Sequence, residues 1–298
     1  MPLLKGVCVA LCTPFDKTGE HLDESRLKDH IDDMLAAGVH ALVLCGGTGE
    51  FAYLSDVEKL RIAEIGVHHA DGRAPVVVQT SAIATSDAVD KAKAAADAGA
   101  DALMVLPPYF EGPGERGVLH HFETIASAVE IPIVVYNIPV HSGFDVTPQL
   151  FARLLEIDGI DHIKDSTGDL IRIQQLVATG GKVLSGADPL APFGLMAGAI
   201  GWIWGAPNVM PHEAVRLYNL IRDGDHDGAL TLWAKMAPTN LFFWENGYGT
   251  EYNVAVKTAA RLVGRDLGPC RKPCLSMTKE ALSNLENVLA LLPDNPPA

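Results

Sequence analysis

Ile160-Asp161-His162-Ile163-Lys164-Asp165-Ser166-Thr167-Gly168-Asp169 reads as a short strand ending on a lysine, then a polar turn and the start of a helix. A lysine at the inner end of a strand is poorly solvated, and desolvation disfavours its charged form. The neutral amine is a nucleophile able to form a Schiff base with a carbonyl. One strand earlier, Ile131-Pro132-Ile133-Val134-Val135-Tyr136-Asn137 places a tyrosine at the equivalent end. Parallel neighbours lie about 4.8 Å apart, so Tyr136 and Lys164 are expected to face one pocket. By spacing alone, the lysine also suits a snorkelling role at a strand end.

Working outward, short apolar strands alternate with longer helical patterns. Strands are expected at Val7–Leu11, Ala41–Leu44, Pro75–Gln79, Ala102–Leu106, Ile133–Asn137, Ile160–Lys164, Val183–Ser185 and Gly201–Trp204. Helices are expected near Asp23–Ala37, Ser55–Ala70, Ser86–Ala98, Gly117–Val129, Thr147–Leu155, Asp169–Ala178 and Ala191–Ala197, with an eighth from Pro211. Continuous apolar strands alternating with helices indicate a parallel sheet covered on both faces. Eight such units favour a closed (β/α)8 TIM barrel over an open sheet, an α/β fold in residues 1–224. Residues 225–298 are expected to form a C-terminal helical extension packed on the barrel, with helices at Asp227–Glu245, Tyr252–Val263 and Thr278–Leu292 and a Pro-rich tail at Pro293–Ala298. Gly38 and Gly99 each follow a helix and precede a strand, which is the place of a helix C-cap glycine.

Charge and composition exclude several classes. A formal net charge of −14 opposes nucleic acid and anionic membranes as partners. No apolar run approaches the ~20 residues of a membrane span. The apolar start, Val7–Cys12, flows into Thr13-Pro14-Phe15 and reads as a first strand, not a signal peptide. The five cysteines, Cys8, Cys12, Cys45, Cys270 and Cys274, are odd in number, and three fall in or directly after expected strands, suggesting reduced thiols and a cytoplasmic location. Cys270 and Cys274 have no second ligand pair beside them, so no metal is expected there. His120 and His121 lack a ligand context as well and are expected at the surface or in packing.

In a barrel of this kind, catalytic groups come from the C-terminal ends of several strands. Strand 2 ends in Cys45-Gly46-Gly47-Thr48-Gly49-Glu50-Phe51. This turn can gather backbone amides and the Thr48 hydroxyl around a carboxylate or phosphate, although a plain tight turn has the same composition. It lacks the spacing of a P-loop or a dinucleotide fingerprint.

Taken together and in order, Gly46-Gly47-Thr48-Gly49-Glu50, Tyr136-Asn137-Ile138-Pro139 and Lys164-Asp165-Ser166-Thr167-Gly168-Asp169 resemble the dihydrodipicolinate synthase/N-acetylneuraminate lyase superfamily. Thr13-Pro14-Phe15, Pro107-Pro108-Tyr109-Phe110 and Asn253-Val254-Ala255-Val256-Lys257 fall in matching order. The resemblance covers nearly the whole chain. It implies a cofactor-free class I lyase, usually a homotetramer, acting on pyruvate or a longer 2-oxo acid. Lys164 would form the imine, Tyr136 would shuttle protons, and Thr48 with nearby amides, Gly47 among them, would bind the substrate carboxylate. Ile203 matches a substrate-site residue of relatives.

Departures from the pattern bear on the substrate. The superfamily's synthases usually carry threonine where this chain has Gly47, and a second relay tyrosine where it has Phe110. They also place an arginine where His141 stands, and histidine cannot offer its bidentate planar fork. Sialic acid lyases carry an acidic residue at Pro189 and a serine at Gly205. The expected function is therefore a pyruvate-releasing aldolase, or a dehydratase of a 2-keto-3-deoxy sugar acid. The alternative is 4-hydroxy-tetrahydrodipicolinate synthase, and the non-enzyme alternative is a 2-oxo acid sensor on the same barrel. Ser166 fits either a donor to a substrate hydroxyl or a helix N-cap. His141 fits a substrate contact or a surface loop. Asp188 fits a substrate contact, but its place before a helix favours N-capping. Trp204 fits either the pocket wall or the core.

Overall fold

The structure, a computed structural model, describes residues 4–293. Its eight strands are β1 (Gly6–Ala10), β2 (Ala41–Leu44), β3 (Val76–Gln79), β4 (Ala102–Val105), β5 (Ile133–Asn137), β6 (Ile160–Asp165), β7 (Lys182–Ser185) and β8 (Gly201–Trp204). All pair in parallel and in sequence order, and β8 closes on β1. The helices between them are α1 (Glu24–Ala36), α2 (Asp56–Ala70), α3 (Thr85–Asp97), α4 (Glu115–Ala126), α5 (Pro139–Ser142), α6 (Pro148–Leu154), α7 (Leu170–Val177), α8 (Ala191–Met196) and α9 (Pro211–Arg222). The chain is a (β/α)8 barrel, as its alternation of apolar strands and helical stretches predicts.

Strand side chains alternate between two apolar compartments because successive Cβ atoms point to opposite faces. Cys8, Ala10, Val43, Val77, Met104, Val134, Leu184 and Ile203 fill the barrel interior. Val7, Val9, Leu42, Leu44, Leu103, Val105, Ile163, Trp202 and Trp204 point outward beneath the helices. A side chain fully buried in either layer contributes about 1.5–3 kcal/mol through the water it sheds. Helix ends follow local rules. Ser55 and Glu58 make a reciprocal capping box at the start of α2. Gly38 and Gly99 follow α1 and α3 at φ 85° and 91°, a conformation that opposes any Cβ.

Boundaries differ from expectation where periodicity carries least information. Strand β6 continues one residue past Lys164, because Asp165 pairs with Asn137. Helix α5, at His141, is four residues long, too short for a periodic signal, and begins on Pro139, whose fixed φ suits a first helical position. Three further helices follow: α10 (His226–Trp244), α11 (Tyr252–Leu262) and α12 (Lys279–Leu289). α10 packs on α9 and on the turn Asp188–Leu190, while α11 reaches the turn Ala206–Asn208 after β8. Most of the Pro-rich tail expected at Pro293–Ala298 lies outside the described residues. Among the described residues, no helix is long and apolar enough to cross a membrane. All five cysteines are unpaired, and burial pushes the thiols of Cys8, Cys12 and Cys45 up to about 12, where they stay protonated.

Candidate active site

Tyr136 and Lys164 are register partners on β5 and β6, at the C-terminal end of the barrel. Both are buried, and the Lys164 Nζ stands 4.0 Å from the centre of the Tyr136 ring. This rung is held by its neighbours. Asn137, with no exposed surface, donates from Nδ2 to Asp165 at 2.9 Å and Asp145 at 3.0 Å, and its Oδ1 accepts from the Val146 amide. Arg172 grips Asp145 with both guanidinium nitrogens. Burial raises the Asp165 carboxyl above the usual range, opposed by donors from Thr167 and Asn137. The Ser166 amide donates to the Asn137 carbonyl, and the Gly186 amide to the Asp165 carbonyl. The backbone groups named at these strand ends thus find partners, as burial demands.

The approach to Lys164 is shaped by what is missing. A Cβ on Gly186 would stand 2.1 Å from Ser166 Oγ and 2.7 Å from Lys164 Cε, so only glycine lets the lysine and serine share this space. Among the described residues, Ser166 Oγ is buried without a hydrogen-bond partner. The N-cap of α7 is Asp169, not Ser166, which removes the capping reading for that serine. On the other side, a Cβ on Gly47 would lie 3.9 Å from the Tyr136 hydroxyl, so the residue at this position faces the tyrosine directly. Thr48 is buried in the same turn.

Cys45 and Glu50, at the two ends of that turn, both adopt left-handed backbone, with φ 54° and 62°. Non-glycine residues hold such conformations only where surrounding contacts over-determine them. Here the contacts are distant in sequence. Thr13 Oγ1 donates to the Gly49 carbonyl at 2.7 Å, and Asn253 Nδ2 to the Gly47 carbonyl at 2.9 Å. The buried Glu50 carboxylate pairs with the equally buried Lys257 at 2.5 Å and accepts from the Arg271 amide at 2.8 Å.

The C-terminal helices also supply Tyr252, a half-buried group that the sequence reading missed. Its hydroxyl donates to Asp188 Oδ2 at 2.7 Å. A Cβ on Gly205 would stand 2.5 Å from this hydroxyl and 3.0 Å from Thr48 Oγ1, so Tyr252 and Thr48 meet across that glycine. Asp188 is 2% exposed, and its carboxyl is pushed up to about 7 by burial, against the lowering effects of Tyr252 and of the Lys164 charge. The N-cap role expected for Asp188 is absent: Ala187 holds that position and Asp188 turns inward. No short-range pattern joins residue 252 to residue 188; the available signal was only the proximity of Tyr252 to the quoted Asn253–Lys257 stretch.

The remaining candidates lie on other elements. His141 is exposed on α5. Ile203 faces the barrel interior with Tyr136, whereas Trp204 faces outward and packs with Trp202 at 5.1 Å, so of its two readings, pocket wall or core, Trp204 takes the core. Phe110 is 87% exposed at φ 75°. Among the described residues, no group of three or more His, Cys, Asp or Glu side chains could hold a metal ion.

Comparison with known proteins agrees with this arrangement. The chain is 37% identical over 297 residues to a 4-hydroxy-tetrahydrodipicolinate synthase of Methanothrix thermoacetophila, covering 98% of each chain. It is 36% identical to one of Thermomicrobium roseum, covering 99% of this chain and 95% of that protein. A solved structure of a chloride-inhibited dihydrodipicolinate synthase from Acinetobacter baumannii, complexed with pyruvate, superposes with a TM-score of 0.89 at 31% identity, over 97% of this chain and 99% of that one. Residues 3–291 match the Dihydrodipicolinate synthetase family from end to end, so the barrel with a lysine on β6 and a tyrosine beside it on β5 belongs to that family.

Proposed function

We propose that the chain is a class I lyase in which Lys164 forms an imine with a 2-oxo acid. The observation that carries this reading is the β5–β6 rung: a buried lysine with its amine 4.0 Å over the ring of a buried tyrosine, in a family of such lyases. In this reading the amine adds to the C2 carbonyl and water leaves. The protonated imine then draws electrons from C3, which loses a proton or a carbon substituent. Tyr136 shuttles the protons, since a phenol both donates and accepts. Thr48 and the amides of the Gly47 turn bind the carboxylate. Ser166, its buried hydroxyl unpartnered, donates to the substrate. Ile203, His141 and Asp188 bound the space beyond C3. No cofactor is needed for this chemistry, and a cytoplasmic homotetramer, a dimer of dimers, is the assembly the family favours; the exposed Phe110 suits a contact between copies.

The finer readings divide on the second substrate. The relatives' names support 4-hydroxy-tetrahydrodipicolinate synthase, and they support it more than the aldolase or dehydratase expected from the sequence. Three positions favour cleavage instead. Gly47 brings no hydroxyl to the Tyr136 phenol, Phe110 passes no proton, and His141 lacks the arginine fork.

Intact mass after borohydride reduction with pyruvate tests the common reading. An adduct mapping to Lys164 is expected; Lys164→Ala should abolish it, and Tyr136→Phe should slow turnover roughly 10²–10⁴-fold with the fold intact. No adduct with pyruvate or any longer 2-oxo acid sinks the lyase and leaves the sensor. Consumption of aspartate semialdehyde with pyruvate selects the synthase, and pyruvate released from a 2-keto-3-deoxy sugar acid selects the aldolase.

A further inference from the structure

The imine reading leaves a polar side chain of the barrel interior without a task. Gln79 ends β3 and points inward, two residues past Val77 of the interior apolar cluster. It is 2% exposed, and among the described residues neither atom of its carboxamide has a hydrogen-bond partner. The oxygen is wholly enclosed, whereas the nitrogen is not. Burying an amide unpaired is costly, so this group points to a ligand that completes it.

The strand registers place the amide. At constant height around a closed eight-stranded barrel, each crossing to the next strand steps one residue along the chain. Followed in that way from Ala10, the pairs lead to Gln79 on β3, Tyr136 on β5 and Gly186 after β7, and return to Ala10. These residues make one inward layer, and Lys164 belongs to the layer directly beneath it. Gln79 stands across the barrel from Gly186, the glycine that leaves room for Lys164 and Ser166. Alanine and glycine fill little of the layer, so Gln79 and Tyr136 bound the space above the lysine. On its near side the amide meets the turn after β2: a Cβ on Gly46 would lie 3.9 Å from Gln79 Oε1 and 3.7 Å from Met104 Cε. We propose that Gln79 is a substrate-binding residue, donating from its carboxamide to the carboxylate of the 2-oxo acid at the Gly46–Thr48 turn. This rests on the imine reading above. A carboxylate offers about four acceptor sites. Thr48 and the turn amides meet some of them, and Gly47 brings no hydroxyl. Gln79 supplies a further donor from the neighbouring strand, without burying another charge beside the lysine.

The test is cyanoborohydride trapping in the full chain over a range of pyruvate concentrations, comparing Gln79→Met and Gln79→Glu with the wild type. Hydroxyacetone, a ketone without a carboxylate, is the second probe. Gln79→Met keeps the length of the side chain and removes the donor, so the half-saturating pyruvate concentration should rise about 10–100-fold. Trapping at saturating pyruvate should stay near wild type, because Lys164 and Tyr136 are untouched. Gln79→Glu sets one carboxylate against another and should raise the half-saturating concentration further. Neither substitution should weaken the trapping of hydroxyacetone. A merely structural glutamine would change the melting temperature and leave the pyruvate dependence where it was; that result in a folded Gln79→Met overturns the proposal. An equal loss with both probes also overturns it, since the amide would then act on the lysine and not on the carboxylate. If Gln79→Met fails to fold, Gln79→Glu decides by the same comparison. A wild-type chain that traps no 2-oxo acid overturns the imine reading and this one with it, whereas trapping with an unmoved pyruvate dependence overturns this one alone.

Discussion

Two fully buried asparagines secure opposite sides of the barrel mouth, one beside β5 and β6, the other where β8 meets β1. Asn137 bonds to Asp145, Asp165 and Val146, all within 28 residues of it. Asn208 donates to the carbonyls of Ala10 at 2.8 Å and Gly205 at 2.7 Å, and its Oδ1 accepts from the Cys12 amide at 2.9 Å while lying 2.8 Å from His30 Nε2. The chemistry is the same: one amide satisfies several backbone or charged groups that burial would otherwise orphan. The separation is not. Three of Asn208's four partners lie 178 to 198 residues away, because this seam closes the barrel between the first strand and the last. The first side of the mouth is therefore written as a compact motif around Lys164, while the second is distributed along the chain and further tied by Asn253, Lys257 and Arg271.

The largest expected effect falls on the distributed side. Lys257→Met strands the Glu50 carboxylate, fully buried beneath the Gly46–Phe51 turn, and should lower stability by about 3–5 kcal/mol in urea unfolding. Adding Glu50→Gln should restore part of that loss. No recovery in the double variant would mean the pair does not act as one unit.

Next come the asparagines themselves. Asn208→Ala orphans buried backbone groups at the ends of β1 and just past β8, and should cost about 2–3 kcal/mol. Asn137→Ala should cost less, because Asp145 keeps Arg172 and its side chain is 37% exposed. The activity readout should reverse that order, since Asn137 braces the strand ends that carry Tyr136 and Lys164. Equal effects on both readouts for the two variants would erase the distinction between the sides.

The smallest effect is pH-dependent. His30, buried against Asn208, is depressed to about 4 by burial, partly offset by that contact. Its folded value lies below the unfolded one of about 6.5, so the unfolded chain binds the extra proton on acidification. The stability this histidine contributes is present above pH 6.5 and is lost as pH falls toward 4. At pH 5 the loss should reach about 2 kcal/mol, and His30→Gln should flatten that part of the stability curve. An unchanged curve in His30→Gln would place the acid sensitivity elsewhere, His121 being the other histidine that burial depresses to about 4.

The amino-acid sequence by itself determined the barrel, its strand order and the Tyr136–Lys164 rung. Alternating apolar strands and helices leave few ways to bury both faces of a parallel sheet, and residues at equivalent ends of adjacent parallel strands must become neighbours. Local chemistry also identified Thr48, Ser166 and Asp188 as polar groups at strand ends. Only the tertiary structure decided what those groups face. It turned Asp188 from a helix cap into the acceptor of Tyr252, left the Ser166 hydroxyl without a partner among the described residues, sent Trp204 outward and Ile203 inward, and brought α11 against Asp188 through Tyr252. The reason is physical: these roles depend on contacts between segments dozens to hundreds of residues apart, whose meeting follows from closing the barrel and docking the last helices on it, and no pattern of period 2 or 3.6 records such a meeting.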